Sequence, residues 1–311
     1  MLDTVLDDLK LLLARPSDLP PLVGAFSLVW AFVLGAAWGS FTNVVIARVP
    51  AGESVVRPRS RCPQCKTQIA GFDNIPVFSW IFLRGRCRTC KATISWRYPF
   101  VEALLGIAGM AVVARHGWSV QALELYTFTL ILTAIAFVDL DTWTVPNPLW
   151  MALVGSGLGF AAVRAWLDGS VQVLVDRGIG AGGAGICLGA FAVLMTGILR
   201  RVGRLAPDQH AMGWGDPLIL IGVGAYLGWI LLPVVLFIAS LEGSVVGIAL
   251  WARGGLKGDK PVSASDDWIP PKAAVPFGPF LALGALQAAF FGDALVARFM
   301  PAVRDLVQLS Q

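Results

Sequence analysis

Charge is what this sequence most lacks: Asp, Glu, Lys and Arg make up only 14% of its 311 residues, against about 25% in soluble globular domains. With 56% hydrophobic residues and a mean hydropathy of +0.71, an ordinary soluble domain is excluded. Histidine is scarcer still, with only His116 and His210. There is no G-x-S-x-G for a serine nucleophile and no H-E-x-x-H for a metalloprotease. The two histidines also fall on opposite sides of the topology derived below, so a soluble-type triad is not available. A basic stretch at the start is missing too. Asp3, Asp7, Asp8 and Asp18 stand where a cleavable signal carries Lys and Arg, so residues 1–20 read as an amphipathic segment. The formal net charge of +4 is too small to argue for nucleic acid as a partner. No internal repeat or low-complexity tract is evident.

What is there in abundance is apolar sequence. A spanning helix needs about 20 mostly apolar residues, and runs at 22–46, 100–115, 121–138, 148–166, 179–199, 217–230, 231–251 and 275–298 predict eight spans. The sixth and seventh meet at Pro233, so seven spans with a re-entrant piece is the alternative. When alternate connections are assigned to one side, 47–99, 139–147, 200–216 and 252–274 hold 17 of the 24 Lys and Arg residues. That side is therefore cytoplasmic and both termini face outward. The expected architecture is an all-α polytopic membrane protein with a first transmembrane helix at 21–46. A small cytoplasmic domain at 47–99 follows, then a membrane-embedded domain at 100–311. The basic residues of the insertion read as a topological anchor or as contacts to acidic lipid headgroups. Trp38, Trp80, Trp96 and Trp143 read as an interfacial belt.

Four of the five cysteines lie in the insertion. Cys62-Pro-Gln-Cys65 and Cys87-Arg-Thr-Cys90 are two C-x2-C pairs separated by 21 residues, the spacing of two thiolate knuckles closing on one tetrahedral ion. Four thiolates suit zinc, in a closed shell with a structural role. A rubredoxin-like iron centre and a pair of disulfides are the rivals, and a reducing cytoplasm argues against the disulfides. A domain this small draws much of its folding energy from the metal. Cys187, inside a span, reads as packing.

Three aspartates stand where a membrane protein seldom places charge. Asp139 and Asp141 end the third span in FVDLDTWTVPN, and Asp216 opens the sixth in MGWGDPLIL. Carboxylates at span ends on the same side, on different helices and beside helix breakers, can pair. Two carboxylates facing one water hold one proton between them, which is aspartic protease chemistry.

GSFTNVVIARVP at 39–50, the cysteine knuckles, DNIPVFSWIFLRGRCRTCKATISWRYPFVE at 73–102, DLDTWTVPN at 139–147 and GWGD at 213–216 together cover much of the chain. In this joint pattern the sequence resembles the bacterial type IV prepilin peptidases, the bifunctional leader peptidases and N-methyltransferases of pilus and type II secretion systems. The resemblance implies that Asp139 and Asp216 are catalytic and that Asp141 is a bystander. It implies a substrate, a prepilin or pseudopilin with a short basic leader, cut on the cytoplasmic side of the bacterial inner membrane beside its apolar helix. It also implies S-adenosylmethionine as methyl donor, whose binding residues stay unassigned. Gly182, Gly183 and Gly185 lie inside a span and read as helix packing rather than a cofactor loop. One departure is that the family's G-x-G-D-x-K carries Leu218, preceded by Pro217, at the lysine position. The rival functions are a non-catalytic scaffold or cation/proton transporter with a zinc docking module, and a peptidase without methyltransferase activity. Glu242, mid-span, reads as protonated and hydrogen-bonded to a neighbouring helix, and Glu102 as half of a structural pair with Arg97.

Overall fold

The computed structural model describes residues 14–205, 213–253 and 275–299. The amphipathic segment up to residue 13, residues 206–212 with His210, residues 254–274 and residues 300–311 lie outside the described residues. Among the described residues the regular structure is helical apart from two isolated antiparallel bridges. The helices are α1 Pro21–Arg48, α2 Phe78–Phe82, α3 Arg97–His116, α4 Val120–Thr142, α5 Asn147–Asp168, α6 Gln172–Arg201, α7 Gly215–Leu227, α8 Leu232–Ala252 and α9 Gly278–Phe299. Six of them are long and apolar enough to cross a membrane; α7 and the Gly278–Gly292 stretch of α9 are apolar but shorter. The protein is an all-α, multi-pass membrane protein, and each long helix coincides with one of the eight apolar runs.

The largest disagreement in helix ends is at α6, which begins at Gln172 rather than at 179. The apolar run starts only after Asp176-Arg177, yet both residues belong to the helix. Adjacent opposite charges and a hydrogen bond between Asp176 and the Trp229 side chain make them tolerable there.

The chain divides into two units, Met1–Ala134 and Ile135–Gln311, with the boundary inside α4. In the first unit α1 packs along α3. The buried positions of α1 include Gly24, Ser27, Ala31, Gly35, Gly39, Thr42 and Ile46, a seam of mostly small residues recurring every three or four positions. Such a seam lets two backbones approach where lipid supplies no hydrophobic drive. A Cβ added to Gly35 would lie 2.6 Å from the Leu105 carbonyl oxygen, and one on Gly39 would lie 2.8 Å from Glu102 Cα. Side-chain donors tie the same helices. Tyr126 Oη donates to the Gly35 carbonyl at 2.9 Å, Asn43 Nδ2 to the Tyr98 carbonyl at 3.0 Å and Trp118 Nε1 to Ser27 Oγ at 2.8 Å.

In the second unit α7 is the central element, buried from Pro217 to Tyr226 at nearly every position. Its 13 residues extend only about 20 Å, short of the roughly 30 Å hydrocarbon core. A helix so short is admissible because protein rather than lipid surrounds it. It packs against α5, α6, α8 and α9, again through small residues: Gly180 of α6 meets Gly224 of α7 backbone to backbone, and Gly157 of α5 lies against Ala225. Tyr226 Oη donates to Ser156 Oγ at 2.8 Å.

Because Gly39 has no room for a side chain, Gly39→Leu is expected to lower stability by about 1–3 kcal/mol, read as a fall in thermal unfolding temperature in detergent. Gly155→Leu, where nothing stands within 4 Å, is expected to leave that temperature unchanged.

Candidate metal centre and aspartate site

The inserted segment contains two knuckles of identical construction. Residues 61–69 and 86–94 both read R-C-x-x-C-K-x-x-I, an internal repeat that inspection of the sequence for long-period repeats passes over and that aligning the two cysteine pairs reveals. Each repeat closes the same hairpin. Arg61 bridges Gln68 and Arg86 bridges Thr93. The Cys62 N–H donates to the Thr67 carbonyl at 2.9 Å and the Cys87 N–H to the Ala92 carbonyl at 2.8 Å. Lys66 and Lys91 turn the chain with left-handed φ values of 57° and 60°.

These hairpins place the Sγ atoms of Cys62, Cys65, Cys87 and Cys90 within 4.8 Å of one another, with Cys62 and Cys90 at 3.7 Å. A tetrahedral ion with metal–sulfur bonds of about 2.3 Å needs sulfurs about 3.8 Å apart, so the four residues fit a single metal ion. Hydrogen bonds from Thr67, side chain and backbone, pull the Cys65 thiol down to about 6, which favours the ligating thiolate. The surrounding loop is braced by side chains. Arg88 clamps Asp73 through Nε and Nη2 at 2.7 and 2.6 Å, and this guanidinium holds the Asp73 carboxyl below its usual range. Trp80, expected at the membrane interface, instead packs over Gly85 and donates its indole N–H to the Ile94 carbonyl at 3.0 Å, because the hairpin needs an apolar plate to close on. Glu102 accepts the Val77 N–H at 2.7 Å and bonds with Ser40, so it fastens the loop to α1 and α3.

The aspartates lie in the second unit. Asp139, in the last turn of α4, is only 6% exposed, whereas Asp141, one position beyond Leu140, is on the surface. The backbone N–H of Gly278 donates to the Asp139 carboxylate, and the approach is so close that a Cβ on Gly278 would run into Oδ2. Asp216 sits half-buried in the first turn of α7, and its carboxylate feels the charge of Asp139. The two motifs touch: a Cβ on Gly215 would lie 2.9 Å from Val145 Cγ2. Helix N-termini carry unpaired N–H groups and partial positive charge, and those of α7 and α9 both open here.

Sequence reasoning misses Gly278. The available signal is Phe277-Gly278-Pro279, since Pro is favoured at the first position of a helix and marks the residue whose neighbours carry free N–H groups. Other singled-out positions fall as follows. Glu242 accepts a hydrogen bond from Gln287 Nε2 of α9, as its mid-span position leads one to expect. Cys187 does not pack: it is exposed on α6, a helix most of whose apolar stretch is uncovered by the rest of the chain. Gly182 and Gly183 have nothing within 4 Å and only Gly185 meets a neighbour, Ile221, so packing on α6 is carried by Gly180, Ala181 and Ala184. Leu218, in the place of the family lysine, is half-buried.

A family model described as bacterial peptidase A24 N-terminal domain matches residues 33–116, and one described as type IV leader peptidase family matches residues 126–248. Curated relatives agree along most of the chain. A prepilin leader peptidase/N-methyltransferase of Myxococcus xanthus is 33% identical, covering 92% of this chain and 96% of the relative. The protein of that name from Aeromonas hydrophila is 34% identical, covering 94% of this chain and 99% of the relative. That of Burkholderia pseudomallei is 32% identical, covering 85% of each. No solved structure matches.

From the sulfur geometry, elemental analysis of the purified protein is expected to find one thiophilic metal ion per chain. Replacing Cys62 and Cys87 together by Ser is expected to abolish that content; retention of the ion by the double variant would place it elsewhere.

Proposed function

Because this chain belongs to the type IV leader peptidase family, we propose that Asp139 and Asp216 are the paired carboxylates of its aspartic endopeptidase site. The protein is an enzyme with peptidase and N-methyltransferase activity. The observation that carries the residue assignment is that Asp139 is buried, takes the Gly278 N–H and shares its electrostatic surroundings with Asp216 on a different helix. The substrate is a prepilin or pseudopilin, cut at the cytoplasmic face of the bacterial inner membrane.

Hydrolysis then proceeds with one proton shared by the pair. The ionised carboxylate takes a proton from a water held between the two as the water oxygen adds to the scissile carbonyl carbon, and the protonated carboxyl donates to the carbonyl oxygen, giving the tetrahedral species. Collapse of the tetrahedral species returns a proton to the departing amine. The Gly278 N–H fixes the rotamer of Asp139 for this exchange, and the N-termini of α7 and α9 stabilise the single negative charge in the absence of a lysine at position 218.

The domain division that accompanies this reading is an N-terminal segment at 1–20, a first transmembrane helix at 21–46, a cytoplasmic metal domain at 47–99 and a peptidase domain at 100–311. Zinc is the ion of Cys62, Cys65, Cys87 and Cys90, and with four thiolates it serves the fold. S-adenosylmethionine supplies the methyl group when bound. A cavity of about 320 Å³ on the inserted domain is lined by Arg84, Arg86, Arg88 and Lys91. Those cations repel a sulfonium, so that cavity does not hold the reacting end of the donor. Methyl transfer needs a deprotonated amine in line with a sulfonium carbon, whereas hydrolysis needs a water between carboxylates; the two geometries call for different sites.

Asp139→Asn and Asp216→Asn are each expected to lower cleavage about 10³-fold or more while the protein still inserts, and Asp141→Asn to retain activity. Mass spectrometry of a co-expressed prepilin's amino terminus reads this, and full processing by either of the first two variants would overturn the pairing. The Asp216→Asn protein is further expected to methylate a pre-cleaved substrate normally. Loss of both activities together, in a folded protein, would show a single shared site.

A further inference from the structure

The metal shell and the hydrolysis leave one cavity without a use. The two knuckles share more than their cysteines, since residues 59–66 and 84–91 both read R-x-R-C-x-x-C-K. In the second, Leu83, Arg84, Arg86, Cys87, Arg88 and Lys91 line a cavity of about 320 Å³. Arg88 donates through two nitrogens to Asp73 and lies 5.4 Å over the Phe72 ring, so its charge is balanced and its position fixed. Arg84, Arg86 and Lys91 have no acidic partner among the described residues. The backbone sets two of them in place: Arg84 and Lys91 take left-handed φ values of 53° and 60°, a conformation that glycine or asparagine adopts more readily. Like charges held around one cavity repel, and an anion seated among them relieves this.

We propose that Arg84, Arg86 and Lys91 form a site for the phosphate of an acidic phospholipid headgroup, with Phe82 and its exposed apolar neighbours seated in the bilayer beside it. Two guanidinium forks and an ammonium at one place match the several oxygens of a phosphate. The surroundings of the cavity decide the source of that phosphate. Phe82, directly before Leu83, is 82% exposed, and Phe72, Phe78 and Ile81 are exposed as well. The inserted segment leaves α1 after Arg48 and enters α3 at Arg97, and these are span-length apolar helices packed along each other, so both of its ends are tied to the bilayer surface. Apolar side chains beside cations make a surface that seats in the headgroup layer, rings at the acyl boundary and cations at the phosphates. A soluble phosphate compound would leave the rings in water, and the basic leader of a prepilin is repelled. The inference does not depend on the pairing of Asp139 with Asp216.

The test uses the full-length protein, purified in an uncharged detergent and titrated with phosphatidylglycerol or phosphatidylcholine, with bound lipid read by native mass spectrometry. Arg84→Gln, Arg86→Gln and Lys91→Gln together are expected to weaken phosphatidylglycerol binding about tenfold or more and to leave phosphatidylcholine binding unchanged. The internal repeat supplies the control: Arg59→Gln, Arg61→Gln and Lys66→Gln remove the same charge from the first knuckle and are expected to leave phosphatidylglycerol binding as it was. Equal loss in both triple variants would show general charge attraction and overturns the site, as does no loss in either. Metal content is measured on the same samples. Should the second-knuckle variant lose its ion, Arg84→Glu, three residues from the nearest cysteine, decides in its place, with the same loss expected. Calorimetric binding of inorganic phosphate without any preference for phosphatidylglycerol would make the ligand a soluble phosphate and overturns the lipid. In a second arm, benzoylphenylalanine at position 82, in vesicles of phosphatidylglycerol and phosphatidylcholine, is expected to crosslink to lipid. Crosslinks only to protein overturn the seating of the segment in the bilayer, and the lipid source with it.

Discussion

A carboxylate at the end of a membrane helix, 6% exposed, needs a donor close by, and Asp139 finds it in the main chain. The hydrogen bond from the Gly278 N–H constrains much of the second unit. It requires α9 to begin at Gly278 and the residue there to lack a Cβ. α7 begins nearby, where Asp216 feels the charge of Asp139. A backbone N–H orients a carboxylate without adding a full charge.

The same economy of side chains runs through both units. In lipid, helices associate through close packing and hydrogen bonds rather than through expulsion of water, and the contacts here are made by Gly35 and Gly39 in one unit and by Gly157, Gly180 and Gly224 in the other. Close backbone approach is what allows α7 to be short and buried. A helix of 13 residues exposed to lipid would leave its ends within the hydrocarbon; enclosed by α5, α6, α8 and α9 it can begin at a carboxylate. The inserted segment solves its problem differently, by a repeated hairpin and four sulfurs within 4.8 Å, since so short a segment offers little core to bury.

Much of this is legible in the order of the amino acids, for reasons that differ by feature. Apolar runs report helices because lipid demands a minimum length of them, and each of the eight runs falls on a helix. Cysteine spacing reports the cluster because C-x2-C has few other uses. Asp139 and Asp216 stand out because charge at span ends is rare. What pattern reading loses is anything that depends on a partner distant in sequence. Asp176 and Arg177 look like a helix boundary until Trp229 accounts for Asp176, Trp80 looks like a membrane anchor until Ile94 accepts its N–H, and nothing about Gly278 alone announces a hydrogen bond to a residue 139 positions earlier in the chain. The choice between Asp139 and Asp141 likewise becomes physical only with burial, since the two are chemically identical and differ in which face of α4 carries them.

Leu218 is the place where local motif and global arrangement must be weighed together. A lysine two residues after Asp216 would lie in the first turn of α7, where its charge would oppose the positive end of the helix. The polar groups here are main-chain ones: the N-terminus of α7, in whose first turn Asp216 lies, and the N-terminus of α9, whose Gly278 N–H donates to Asp139. Helix-end contributions of this kind amount to about 0.3–1 kcal/mol at exposed positions and up to about 2 kcal/mol when partly buried, comparable to one charge-assisted hydrogen bond. Helix ends of this kind add no positive charge that would have to be desolvated, and an apolar residue at 218, half-buried beside Ile219 and Leu220, contributes packing that a lysine could not.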